Sequence, residues 1–316
     1  MSIVTTFIAA KFLEKPTPVD IAFEITHRCN LDCVYCDRHT SKEKELETKE
    51  IIRIISEFQG LGTRSISLDG GEPLIRKDFP IIADFIGNLG IELNINSNGI
   101  LIPDRLDCMT AVNKIKISID GGKADAHDAM RGKGSFVKVV KGVEAAKSKG
   151  IRVELTCTLN HGNVDRLPEI LDFAAQLDCQ VIFQPARNSL FNSTILDGSK
   201  WLPDYSELYR GINLLLETRK KNKFIRNTKA SLKHFLKFPN DVPIPCSAGW
   251  LNCTIDPSGN LYHCGAIDRA SYRLNILQHG SAQAFKLLPR FRCMQCWCAR
   301  TVEDNYLWGL KFQEFL

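Results

Sequence analysis

From Val19 to about Arg187 the sequence switches six times between short strand-like runs and helix-like runs, a pattern that restricts the chain to a parallel βα architecture. The strands read Asp20–Thr26, Ser65–Asp69, Glu92–Asn96, Lys114–Ile119, Arg152–Thr158 and Gln180–Gln184. Between them, Thr48–Leu61 sets Ile51, Ile54, Ile55, Phe58 and Leu61 on one helical face. Ser135–Lys149 sets Phe136, Val139, Val140, Val143 and Ala146 inward and its lysines outward. Six such units make an open, partial (β/α)6 barrel. Periodicity alone fits a doubly wound sheet equally well, but there the first loop is a Gly-rich phosphate turn, and here it is rich in cysteine.

In a βα barrel the chemistry sits on the loops that follow the strands. After the first strand come Cys29, Cys33 and Cys36, spaced three and two residues apart. Soft thiolates favour zinc, copper(I) or iron–sulfur centres, and a cubane held by only three of them leaves one iron open to bind something else. The bland alternative is a structural zinc knuckle, for which the fourth ligand at suitable spacing is His39. Later strands are followed by Gly70-Gly71-Glu72-Pro73, by Ser97-Asn98-Gly99 and by Asp120-Gly121-Gly122 with Arg131 beyond; Asn160 follows the fifth, and Gln184 and Arg187 close the sixth. Taken singly, such Gly-Gly and Asn-Gly pairs are turns that need positive φ.

The cysteine spacing together with the GGEP turn resembles the radical S-adenosylmethionine (SAM) superfamily, over roughly residues 19–300. The resemblance implies a [4Fe-4S] cluster on Cys29, Cys33 and Cys36 whose open iron chelates SAM, and reductive cleavage of SAM to methionine and a 5′-deoxyadenosyl radical that abstracts hydrogen from an unactivated carbon. It implies contacts to the SAM amino group from Gly70, Gly71, Glu72 and Pro73, a place beside the adenine for Tyr35, and ribose-side contacts for Ser118 and Asp120. It also places Asn98 in the cofactor site and gives Arg131 the methionine carboxylate, a task suited to guanidinium. The electron donor expected with such chemistry is a flavodoxin or ferredoxin.

A second set of six cysteines, Cys246, Cys253, Cys264, Cys293, Cys296 and Cys298, follows Pro239, Pro243 and Pro245. Residues 254–264 read as a β-hairpin turning at Asp256–Gly259. The spacing from Cys246 through Gly259 to Cys264, then Cys293-x-x-Cys296, resembles the SPASM/twitch auxiliary-cluster domains. Its implication is one auxiliary [4Fe-4S] cluster on Cys246, Cys264, Cys293 and Cys296, with Cys298 able to replace either of the last two; a zinc ribbon would use the same residues. Cys253 is then spare: a packed thiol, a further ligand or, facing the barrel mouth, a hydrogen-atom donor to a substrate radical. Cys108, Cys157 and Cys179 read as small buried hydrophobes. The expected organisation is an N-terminal helical extension (1–18), a radical SAM core (19–200), a basic helical linker (201–245) and the auxiliary-cluster domain (246–316).

Forty-one Lys and Arg against 36 Asp and Glu give a net +5, too mild to indicate nucleic acid. No apolar run approaches the roughly 18 residues that span a bilayer. Twelve cysteines with no cationic start or small-residue cleavage site at the N-terminus fit thiolate-held metal in a reducing cytoplasm better than a secreted disulfide framework. The substrate is less legible. About twenty residues precede the first strand, leaving no room there for a peptide-recognition domain, which favours a small sugar- or aminocyclitol-like molecule undergoing oxidation or epimerisation. The rival readings are maturation of a ribosomally made peptide, a lipid substrate reached through a helix carrying Ile3, Val4, Phe7, Ile8, Phe12 and Leu13, for which plain core packing is the duller role, and, outside enzymes, an iron–sulfur electron carrier or structural metal protein.

Overall fold

The structure, a computed structural model, describes residues 3–13, 15–186, 201–265, 274–289 and 294–308. Helix α1 (Ile3–Phe12) precedes β1 (Asp20–Thr26), α2 (Thr48–Leu61), β2 (Ser65–Gly70), α3 (Phe79–Asn88), β3 (Glu92–Ser97), the single turn α4 (Ile102–Arg105) and β4 (Val112–Ile119). Then come α5 (Ala124–Arg131), α6 (Ser135–Ser148), β5 (Arg152–Leu159), α7 (Leu167–Gln176) and β6 (Gln180–Pro185). The C-terminal third holds α8 (Tyr205–Arg219), α9 (Lys229–Phe235), β7 (Asn252–Ile255), β8 (Asn260–Tyr262), β9 (Leu274–Asn275), α10 (Ile276–His279), α11 (Ser281–Leu287) and α12 (Ala299–Trp308).

Strands β1 to β6 lie side by side in chain order and pair in parallel, so the partial barrel read from the sequence is the fold. Alternation along each strand decides its two faces. Ile21, Phe23, Ile66, Leu68, Ile95, Ile115, Ile117, Leu155 and Phe183 turn out against the helices and form the core. The alternate positions line the lumen and are nearly all polar. Register sets Glu24 beside Asp69, and Asn96, Lys116 and Glu154 side by side in one row; Ser118 and Thr156 pair in the row above.

The sequence does not announce how the barrel ends. The expected hairpin is present as β7 and β8, but β7 pairs in parallel with β1, so the C-terminal hairpin extends the barrel sheet. At the other end, the basic helical region expected over residues 201–245 holds two helices, α8 and α9. Between α8 and α9 the chain straightens to bridge Val181 with Ile225, and Asn227 exchanges side-chain hydrogen bonds with the Phe183 backbone (2.7 and 2.9 Å), which satisfies the open edge of β6. Helix α12 reaches from β6 across to β1. The Ala299 N–H donates to Gln184 Oε1 at the end of β6 (3.1 Å), and Arg300 pairs with Asp20 at the start of β1.

Helix α1 buries Thr6 and Ala10, the latter clustered with Val19, Leu251 and Trp250, while Ile8, Phe12 and Leu13 stay exposed, the last two at 81% and 73%. The plain core-packing role expected for these apolar residues does not hold for those three. The side chains of Ile3, Val4 and Phe7 lie outside the described residues, and among the described residues no helix is long and apolar enough to cross a membrane. Cys157 and Cys179 are buried as expected; Cys108 is only half-buried.

Candidate functional site

The three cysteines of the first motif lie on the long excursion between β1 and α2. The Cys36 N–H donates to the Cys33 carbonyl (2.9 Å) and the Val34 N–H to the Met130 carbonyl at the end of α5 (3.0 Å), which draws the loop over the barrel mouth. The thiols are near enough to feel one another's charge. Burial pushes Cys33 up to about 12, against the pull of Arg131, with Cys36 and Cys29 adding to the rise; burial and Cys36 also raise Cys29. Three soft thiols held this close on one loop suit a cation bound through sulfur. Among the described residues no three His, Cys, Asp or Glu side chains close on a single ion.

The GGEP turn sits directly beneath this loop. The Gly71 N–H donates to the Thr26 carbonyl (2.8 Å) and the Glu72 N–H to the Arg28 carbonyl (2.9 Å), continuing the β1–β2 pairing up to the first cysteine. A Cβ on Gly70, whose φ is +139°, would lie 2.0 Å from the Thr26 carbonyl oxygen, and one on Gly71 2.3 Å from that of Arg28. The glycines are therefore needed for the approach of one backbone to another within the protein. Glu72, fully buried, accepts from the N–H groups of Leu74 (3.1 Å) and Asn98 (2.8 Å) and from the Ser97 hydroxyl (3.0 Å). Asn98 in turn donates to Asn30 Oδ1 (2.7 Å) and reaches Cys29 Sγ at 3.8 Å. Pro73, also buried, starts a single 3-10 turn. The structure thus shows this group buttressing the cysteine loop.

Tyr35, Asp120 and Arg131 converge from three parts of the chain. The Tyr35 hydroxyl (2.5 Å) and Arg131 Nε (2.6 Å) both donate to Asp120 Oδ2, and the guanidinium carbon lies 5.8 Å from the Tyr35 ring centroid. Burial opposes the charge on Arg131, yet Asp120 holds its pKa above the usual value; burial raises the Tyr35 phenol well above its own. The fully buried Asp120 thus engages Tyr35 and Arg131 through Oδ2 alone, while its Oδ1 accepts no hydrogen bond among the described residues.

A cavity of about 350 Å³ opens inside the barrel. Its wall includes Tyr35, Cys36 and Arg131 of the first motif region, Ser118 of β4, and Cys264 and Cys298 of the second cysteine set. Cys296 is instead buried in the core, its Sγ 3.9 Å from Asn305 Nδ2 and its carbonyl accepting from His234 Nε2 (2.8 Å). Asn305 Oδ1 also accepts from the N–H and hydroxyl of Ser247, next to Cys246. Cys293 and Arg187 lie outside the described residues. Cys253 borders the cavity, but its register partner on β1 is Ile21, so its thiol shares the helix-facing side with that residue and packs in the core. Of the three roles open to Cys253, this burial agrees with the packed thiol.

Sequence reasoning missed the charged part of the wall. Glu24 pairs with Arg38 (3.0 Å), Arg300 holds Asp20 and Asp304 (3.7 Å to the latter), and Lys116 lies 4.0 Å from Glu154. Burial raises the pKa of Asp69, with Arg38 opposing, and raises that of Asp304 despite Arg300 and Lys116. The signal was present in the alternation, since Glu24, Asp69, Asn96 and Lys116 all fall on the polar face of their strands.

Residues 23–174 match the family described as the Radical SAM superfamily. Over 275 residues the chain is 28% identical to the mycofactocin maturase MftC of Mycolicibacterium smegmatis, covering 84% of this chain and 69% of that one. Over 269 residues it is 28% identical to a PqqA peptide cyclase of Ruegeria pomeroyi, covering 80% and 69%. Among solved structures, Streptococcus suis SuiB bound to S-adenosylmethionine superposes with a TM-score of 0.69 over 86% of this chain and 67% of that one. At 15% identity this last likeness shows the fold alone.

Proposed function

We propose that this chain, which carries a radical SAM domain over residues 23–174, is a radical SAM enzyme that modifies a peptide substrate. The cofactors of that domain are a [4Fe-4S] cluster and SAM, and the residues fit them: three soft thiols on one loop, close enough to interact, with a cavity that Cys36 borders. When bound, such a cluster supplies one-electron cleavage of SAM and, through it, removal of hydrogen from an unactivated carbon. The chain's own residues hold and orient. Cys29, Cys33 and Cys36 are the cluster ligands. Tyr35 and Asp120 fix Arg131 through its Nε, which leaves the terminal guanidinium nitrogens for the SAM carboxylate, and Ser118 lies on the same wall. The backbone of Gly70 and Gly71, with Glu72, Pro73 and Asn98, keeps the cluster loop in place beside the SAM amino group. Helix α12 links the end of β6 to the start of β1 and forms part of the cavity wall.

The observation that carries the reading is the cavity shared by Cys36, Cys264 and Cys298, which has room for a substrate between the two cysteine groups. It supports an auxiliary cluster on Cys246, Cys264 and two of the last three cysteines, with Cys298 favoured over the core-buried Cys296. The relatives favour a peptide over the small sugar-like molecule expected from the sequence: one is named a maturase, another a peptide cyclase, and SuiB has been solved with its precursor peptide SuiA. The test is anaerobic incubation with SAM, dithionite and synthetic peptides encoded by short reading frames beside the gene. One peptide should stimulate 5′-deoxyadenosine release and change mass. Stimulation by a sugar or aminocyclitol, with none by any peptide, would return the function to a small molecule.

A further inference from the structure

The loop that carries the three cysteines runs from His27 to Glu47, between β1 and α2, with a single 3-10 turn, Arg38–Thr40, as its only regular structure. An excursion of this length has many conformations of similar energy, and three thiolates match one cluster in few of them. Something must fix both ends of the loop in relation to each other. One side chain outside the loop does so.

Arg76 follows the GGEP turn and is only 5% exposed. Its Nη1 donates to the Ile25 carbonyl (2.8 Å), where the loop leaves β1, and to the Leu46 carbonyl (3.3 Å), where it returns. Nη2 donates to the same Leu46 carbonyl (3.2 Å) and to Asp78 Oδ2 (2.6 Å), while Nε donates to Asp78 Oδ1 (2.9 Å). Asp78 also accepts from the Thr48 hydroxyl at the start of α2 (2.6 Å). Within the loop, Glu45 lies 3.7 Å from Arg76 Nη1 and accepts from the His27 N–H (3.2 Å), Arg28 Nη2 (3.1 Å) and the Thr26 hydroxyl. One buried guanidinium therefore joins the end of β1, the end of the excursion and, through Asp78, the helix that follows.

We infer that Arg76 is a positioning residue for the SAM-binding cluster: it touches no thiol, yet it fixes both ends of the loop and so the spacing of Cys29, Cys33 and Cys36. A planar fork of five donors can satisfy two carbonyls and a carboxylate at once, and a lysine ammonium, a single nitrogen, cannot reach all three. The inference rests on the radical SAM reading of the site.

The experiment compares wild type, Arg76→Lys, Arg76→Ala and Cys29→Ala/Cys33→Ala/Cys36→Ala after anaerobic reconstitution, by iron content and by the change that SAM causes in the EPR spectrum of the reduced protein. From about eight irons in the wild type, both Arg76 variants should fall to about four and lose the SAM-dependent change, with circular dichroism unaltered. Low-millimolar guanidinium during reconstitution should restore part of the signal to Arg76→Ala, where equal sodium chloride does not. If Arg76→Ala is insoluble, Arg76→Lys decides alone. Wild-type loading and an undiminished SAM response in either Arg76 variant would overturn the inference. A wild type with no more iron than the triple cysteine variant would overturn the radical SAM reading itself, and the inference with it.

Discussion

His127 on α5 packs at 0% exposure beside Phe136, their ring centroids 5.6 Å apart, and the Asp120 N–H reaches its Nδ1 at 3.4 Å. Burial, and then the charge of Arg131, lower its pKa from 6.5 to about 4. Above about 6.5 the folded and unfolded chains are both neutral at this position and the contribution to stability is complete; as pH falls towards 4 the unfolded chain binds a proton that the folded one refuses, so stability is lost. By pH 5 the loss amounts to about 2 kcal/mol. Urea unfolding at pH 7 and pH 5 should show a smaller drop for His127→Gln than for the wild type; equal drops would mean that the imidazole takes its proton inside the fold. The same attention to single positions explains the glycines of the GGEP turn. Read from sequence, they suggested backbone approach to SAM, yet the space that a Cβ would fill on Gly71 is already bounded by the carbonyls of His27 and Arg28. Sequence motifs identify where a glycine is required, but the atom that demands it comes from a distant strand.

At the scale of elements, the six barrel strands were legible because each carries its own evidence, a largely polar face and an apolar face in alternation, broken at Ala22 of β1 and Ile182 of β6. Helix α2 was legible to its ends, Thr48 and Leu61, for the same local reason. What local periodicity does not encode is partnership. Nothing in residues 252–262 says that their first strand will pair with β1, and nothing in the basic run near Lys223 says that Ile225 will bridge to Val181. The hairpin turn shows how much can depend on such a pairing. Asp256, nearly fully buried, accepts from the N–H groups of Ser258 and Asn260 (2.9 Å each), from Asn260 Nδ2 (2.9 Å) and from the Tyr262 hydroxyl (3.0 Å), while the neighbouring Pro257 carbonyl accepts from the Leu46 N–H (2.7 Å). Asp256→Ala strands those donors in the interior and should cost about 2–4 kcal/mol, read as a lower urea midpoint. A midpoint equal to that of the wild type would show that the turn is held by its backbone alone.

For the whole molecule, the two cysteine groups, over two hundred residues apart in sequence, border one cavity because the C-terminal hairpin joins β1 and α12 spans from β6 back to β1. Cys29, Cys33 and Cys36 were plain from spacing; the charged wall behind them was not, because Arg300 and Asp304 enter from a helix that no barrel pattern predicts. The claim on which the account depends is that the first three thiolates alone hold the cluster that cleaves SAM. It is tested most directly by iron, sulfide and 5′-deoxyadenosine analysis of the reconstituted wild type and the Cys29→Ala/Cys33→Ala/Cys36→Ala variant with SAM and dithionite. The account predicts about eight irons with SAM cleavage in the wild type, and about four irons with no cleavage in the variant. Cleavage that survives in the variant, or a wild type that carries zinc in place of iron, would contradict it.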